Sequence, residues 1–317
     1  MIGLHEAAVE QTVTTILHQS KKRKPKSAKR VADDAIERTA DRSSALQISE
    51  WINRAIPAGS GRYYAMLHAD DDAREHLQAV TALIGIWSQT AFGRSEPEIA
   101  LRKIDWWRAE IAGEHCEHPL TRLLLPNIDS KKDLRPHLLD ILKGYAELLQ
   151  YGSPSTDEAN KLFHWSTGAI ACLALTGAEN TVNNPVARAG VALSRFRCLR
   201  CLPEHINAKL LCLPMSLLEA ESLSPAQFQP GSDDPTIITF FSRQLQTLDL
   251  EMKAVADELL HAGAGARPLY VYLCTQQRLL KKLMDSGANL LQPRVRLSPI
   301  RNYFVAFRAA RQHYRAN

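Results

Sequence analysis

Residues Gly190–Pro214 read GVALSRFRCLRCLPEHINAKLLCLP, a run that closes a helical pattern over Val186–Leu202 and carries three thiols and an imidazole. Taken alone, Cys198-Leu-Arg-Cys201 is a C-x-x-C pair, with His205 one helical turn later and Cys212 beyond. The spacing puts Cys198, Cys201 and His205 roughly along one helix face, and zinc accepts such ligands. A redox dithiol is the second chemical option. Against both, no βαβ pattern surrounds the pair, and it is the single C-x-x-C of the chain. Cysteine is also a common small residue in helical cores, which makes a packing role the simpler expectation.

Outward from this run the chain reads as helix after helix. In Thr236–Leu260, apolar Ile237, Phe241, Leu245, Leu248, Met252, Val255 and Leu259 follow steps of three and four, which predicts one buried face. Ala73–Thr90, Ile99–Ala112, Leu134–Gln150, Glu158–Leu175, Leu269–Asp285 and Pro299–Arg311 show the same period. Turn chemistry falls between them, at Pro57–Gly61, Gly152–Pro154, Asn183–Pro185, Pro230–Asp234 and Gly263–Gly265. Alternating strand-like runs and internal repeats are absent. The expectation is an all-α fold with one domain over residues 46–317, behind a loose extension over 1–45.

Composition narrows the function classes. At 317 residues and 45% apolar content, the chain can bury a sizeable core. Its richest apolar run, Ala169–Leu175, is seven residues long, far short of a bilayer span. Met1–Ser20 interrupts its apolar residues with His5, Glu6, Glu10 and His18 and lacks the h-region of a secretory signal. A cytoplasmic setting with six reduced thiols is therefore expected. Residues 1–45 hold nine Lys/Arg and six Asp/Glu and supply +3 of the net charge of +5. Seven of those cations crowd into Lys21–Arg30, a run expected to stay solvated because like charges repel. Its sharper use would be peripheral contact with anionic lipid at the inner face of a membrane, ahead of nucleic acid. Asp70-Asp71-Asp72 stands just before a helical pattern, so capping is expected there rather than a magnesium site.

Several ordered segments then resemble one family. Ala55–Leu67, AIPAGSGRYYAML, is similar to the P-G-S-x-x-Y-Y segment of squalene and phytoene synthases. Lys103-Ile-Asp-Trp-Trp-Arg108 resembles their R-L-x-x-W-R helix, and His118-Pro119 follows at the expected distance. Thr167-Gly168 sits like their central A-G, and Arg294–Arg301 resembles their R-V-x-L-x-x-x-R ending. Gly190–Pro214 aligns without a gap on G-x-A-L-Q-x-x-N-x-L-R-D-x-x-E-D-x-x-x-G-R-x-Y-L-P. It agrees at Gly190, Ala192, Leu193, Leu199, Arg200, Glu204, Leu213 and Pro214. The resemblance implies an isoprenoid-synthase-like helical bundle around an apolar cavity, and a place in isoprenoid biosynthesis. Active members condense two prenyl diphosphates, using aspartates one turn apart to hold magnesium against the leaving diphosphate.

The chain departs from this pattern where the chemistry is. The first aspartate motif falls on Ala91 and Ser95, and the second on Cys201 and His205. The G-R pair becomes Lys209-Leu210, and the tyrosine becomes Cys212. Neighbouring Glu96 and Glu204 could hold a cation at most singly. Cys198–His205 is similar to the L-R-x-x-P-x-H form of a divergent branch, which includes bacterial paralogues and a mitochondrial factor assisting complex I assembly. Pro203 is expected to break the helix that a magnesium motif needs intact. The expectation is a non-catalytic protein without a cofactor, a pseudoenzyme that binds an isoprenoid or other lipid or acts as an assembly or interaction factor for a protein partner. The alternative is an active prenyl transferase with magnesium. Arg195, Arg197 and Arg200 stay near the former diphosphate end, and Arg200, His205, Arg197 and Lys209 are the candidate head-group contacts. For Arg200 the competing role is an ion pair with Glu204, and for His205 a satisfied place in the core. Trp106 and Trp107 are expected to anchor helix packing.

Overall fold

The computed structural model describes residues 45–93, 96–113, 117–128, 135–151, 184–292 and 295–317, without the side chains of residues 72, 125–128 and 151. Contacts divide the chain into two compact units, Met1–Ser49 and Glu50–Asn317. Of the first, residues 45–49 are described and are helical. In the second, the described residues form twelve α-helices and no strand. They are α1 (50–55), α2 (Gly61–Met66), α3 (Asp71–Phe92), α4 (Pro97–Ala112), α5 (Pro119–Ile128) and α6 (Arg135–Tyr151). After them come α7 (Pro185–Arg200), α8 (Leu202–Asn207), α9 (Met215–Ala220), α10 (Pro235–Leu259), α11 (Arg267–Asp285) and α12 (Pro299–Ala316). No described helix is long and apolar enough to cross a membrane. The expected helix Glu158–Leu175 lies outside the described residues, as do Thr167, Gly168 and most of the basic extension.

Helix starts follow local chemistry. Proline occupies the first turn of α4, α7, α10 and α12, where a missing N–H costs nothing. Ser60, Asn184, Asp234 and Ser298 accept a backbone N–H at the starts of α2, α7, α10 and α12. Asp70 stands at the N-cap of α3, yet its side chain makes no capping bond; Asp71 instead pairs with Arg74 at 2.7 Å. Helix α7 stops at Arg200, two residues short of the expected Leu202. Pro203 cannot donate to the carbonyl four residues back, so Cys201 turns out of the helix (φ −98°, ψ 10°) and α8 starts afresh.

Helices α7, α10 and α11 pack on one another, and α11 packs on α12 and α2. The apolar stripe of α10, Ile237 to Leu259, is buried as the period predicts. Helix α3 packs on α4, α5 and α6. There Trp87 and Trp107 meet edge-on at 5.9 Å, both buried. Trp106, one residue on, points about 100° away and is 38% exposed, so only Trp107 is a core anchor. The close approach of α2 to α11 depends on Gly61, where a Cβ would stand 2.4 Å from Thr275 Oγ1.

The His118-Pro119 pair closes the α4–α5 corner. The Glu110 carboxylate is fully buried and accepts from His118 N at 2.7 Å and Glu117 N at 3.2 Å. His118 lies between Trp51 and Trp107, and its Nδ1 accepts from Leu120 N at the start of α5. Burial holds the imidazole below its ordinary 6.5, although Glu110 pulls the other way. Burial also lowers His68 and His313, with Arg267 acting in the same direction on each. As pH falls through 6.5 the unfolded chain takes up protons before the folded one does. The stability these histidines lend is full above pH 6.5 and is lost on further acidification. Thermal unfolding across pH 8 to 5 is expected to show a falling midpoint below about 6.5. His118→Asn, which keeps an acceptor for Leu120 N, is expected to flatten the slope in part; an unchanged slope would remove His118 from the account.

Candidate functional site

The broken end of α7 and the C-terminal turns of α3 meet around a histidine. Arg197, Cys198, Arg200 and Cys201 occupy the last turn of α7 and its cap, and His205 is buried in α8. Across from them, α3 presents Ser88 and Phe92. The His205 ring stacks on the Phe92 ring, centroids 4.0 Å apart and planes 24° apart. Phe92 also meets Tyr145 of α6 edge-on at 6.1 Å. Ala91 itself is buried, and Ser95 lies outside the described residues. Two segments over a hundred residues apart are thus joined through an aromatic–imidazole contact.

The candidate cations separate into different environments. Arg195 is committed to an ion pair with Glu251 of α10, at 2.6 Å. Arg200 Nη1 lies 3.5 Å from Gln276 Oε1 on α11. Arg197 Nη2 donates to Ser88 Oγ at 2.7 Å, and among the described residues no carboxylate forms an ion pair with it. Burial works against its charge, but Tyr145, Cys201, Tyr272 and Cys198 outweigh burial and hold the guanidinium above its ordinary value. It therefore stays cationic beside the Phe92–His205 stack. Lys209 is exposed.

The thiols are not arranged as ligands. Cys198 and Phe92 each pack against the buried pair Cys212 and Leu148. Burial first, and then the hydrogen bond it makes to Cys198, push the Cys212 thiol well above its ordinary range. It is a protonated core residue at neutral pH. Among the described residues no three His, Cys, Asp or Glu side chains converge as a metal site. The zinc arrangement of Cys198, Cys201 and His205 is not formed.

A turn links α8 to the Leu213-Pro214 end. Leu210 N bonds to His205 O at 2.9 Å and Lys209 N to Ile206 O at 2.9 Å, with Lys209 left-handed at φ +57°. This is the αL helix ending that glycine usually supplies. Lys209→Gly is expected to stabilise the protein by about 0.5–1 kcal/mol, because it relieves the Cβ clash of that conformation. Urea denaturation reads this directly, and a lower midpoint would contradict it.

Beside the same end, a cleft of about 370 Å³ is lined by Leu199, Leu213, Pro214, Leu217 and Leu248, with Arg195 at its edge. Residues 57–301 match the family model described as Squalene/phytoene synthase. The chain belongs to the squalene/phytoene synthase family. The structure is similar to that of a dehydrosqualene synthase in complex with ligand, with TM-score 0.71 and 12% identity over 87% of this chain and 99% of that one. It also resembles squalene synthase HpnC from Alicyclobacillus acidocaldarius, with TM-score 0.61 and 12% identity over 77% and 95% of the two chains. No curated protein matches the sequence. At such identity the likeness carries the fold, which is the all-α isoprenoid-synthase fold the sequence pointed to. In this family member, Phe92 and Ser88 are the site residues that sequence reading missed. Their one signal was proximity to Ala91 in the helix expected to carry the first motif.

Proposed function

We propose that this squalene/phytoene synthase family member is non-catalytic and holds an apolar lipid, such as an isoprenoid, within its helical bundle. The observation that carries the reading is the Phe92–His205 stack, which joins one position expected to carry a family aspartate to the neighbour of another. The residues at those positions do not fit magnesium. Ala91 offers no ligand atom, His205 is buried against a ring, and Cys201 supplies a soft thiol where magnesium takes oxygen. The break at Cys201 and Pro203 also removes the regular helical turn on which two ligands would be spaced. Arg197 and Arg200 remain as candidate contacts for an anionic or polar head group, and the apolar cleft beside Leu213-Pro214 suits a hydrocarbon.

Native mass spectrometry of the protein purified from its own cells tests the ligand. The expected result is a retained apolar lipid. A co-purifying protein subunit without lipid would turn the reading toward an assembly role, and finding neither would overturn it.

A further inference from the structure

Helix α12 distributes its residues the wrong way round for a surface helix. Its buried face is Asn302, Ala306, Ala309, Ala310 and His313, all small or polar. Its outer face carries Ile300, Tyr303, Phe304, Phe307 and Tyr314, which are 46–64% exposed. These five recur at steps of three, four and seven and form one stripe along the helix. A folding chain normally buries such side chains, so a contiguous exposed set marks an interaction surface. Three of the five form a contiguous ring cluster with α2: Tyr303 meets Phe304 at 5.5 Å, Phe307 at 6.1 Å, and Tyr64 of α2 at 5.6 Å, while the Tyr314 ring packs under the Arg267 guanidinium. Tyr63 of α2 and Leu67 just beyond it add further exposed apolar area.

The charges beside the stripe identify the partner. Arg301, Arg308, Arg311 and Arg315 are exposed and lie within or along one border of the aromatic stripe. The helix carries no Asp or Glu, and among the described residues none of the four arginines forms an ion pair. A second copy meeting this face by two-fold symmetry would bring arginines against arginines. An anionic bilayer surface satisfies both halves of the pattern: rings enter the acyl boundary while guanidinium groups stay at the phosphates.

We propose that α12, with the aromatic end of α2, docks the protein onto anionic lipid bilayers. The proposal does not draw on the Lys21–Arg30 run and does not require the lipid-holding reading above, because it needs neither a ligand nor the Phe92–His205 site.

Co-sedimentation of the full chain with vesicles tests it, comparing phosphatidylcholine alone with phosphatidylcholine containing phosphatidylglycerol. The wild type is expected to sediment with the anionic vesicles and to be released by high salt. Tyr303→Ser/Phe304→Ser/Phe307→Ser, all at exposed positions, is expected to weaken that binding by about tenfold or more while circular dichroism stays unchanged. Arg308→Gln/Arg311→Gln/Arg315→Gln is expected to lose the preference for anionic lipid. Should neutralising Lys21, Lys22, Arg23 and Lys24 abolish sedimentation while both α12 variants bind normally, the proposal is overturned. Binding to single-stranded nucleic acid without binding to vesicles would overturn it as well.

Discussion

Trp87→Ala is expected to cost about 4 kcal/mol of stability, the middle of the range for a buried aromatic truncated to alanine. The indole is fully buried and meets Trp107 edge-on, so its removal opens a cavity at the α3–α4 contact. Among the described residues its Nε1 has no hydrogen-bond partner, so the loss is one of packing and not of a polar contact. Trp87→Phe should therefore recover more than half of the cost. Trp87 also stands one residue from Ser88 and five from Phe92 on the same helix. A shift of α3 into the cavity would loosen both the Arg197–Ser88 bond and the Phe92–His205 stack. Chemical denaturation measures the first effect, and exchange of the backbone amides near His205 measures the second. A cost under about 1.5 kcal/mol for the alanine variant would place Trp87 outside the core network.

Glu110→Ala is expected to cost about 3 kcal/mol. The carboxylate is the acceptor for two backbone N–H groups, at 2.7 and 3.2 Å, in a place where water does not reach. Hydrogen bonds to a charged group are worth roughly 1.5–3 kcal/mol, and a donor left without an acceptor in the interior adds its desolvation cost. Glu110→Gln should fall between the two. Its amide oxygen can still accept from His118 N, while its NH₂ group would confront the other donor. If the glutamine variant proved less stable than the alanine variant, the hydrogen-bond account of this corner would fail.

What was legible in the sequence was what depends on near neighbours in the chain. The stripe of α10 is a seven-turn pattern, and every residue the period names is buried, with Phe240, Asp249 and Ala256 buried beside them. The starts of α4, α7, α10 and α12 each carry a proline and fall within two residues of expectation. The short helices α2, α8 and α9 were not legible, because six residues do not complete a periodic pattern. Helix α12 continues to Ala316 past the expected Arg311, since its final turns bury His313 although no apolar residue continues the stripe inward. Pro203 was readable as a break, and only the exact place of the turn at Cys201 needed the structure. The site was half legible. Ala91, Cys201 and His205 came from an ordered comparison of motifs, but the partners Phe92 and Ser88 are joined to them only through the folded chain. The role of Arg197 emerged the same way: three arginines on one helix look alike in sequence, and only folding gives Arg195 a carboxylate and Arg197 a hydroxyl.

The central claim is that this family member does not condense prenyl diphosphates. Release of inorganic diphosphate from farnesyl and geranylgeranyl diphosphate, with and without magnesium, measures this most directly. The account predicts release at the rate of the buffer alone, with no condensed isoprenoid product, for the wild type and for Arg200→Ala alike. Magnesium-dependent release with formation of squalene, phytoene or a similar product, weakened by Arg200→Ala, would contradict it.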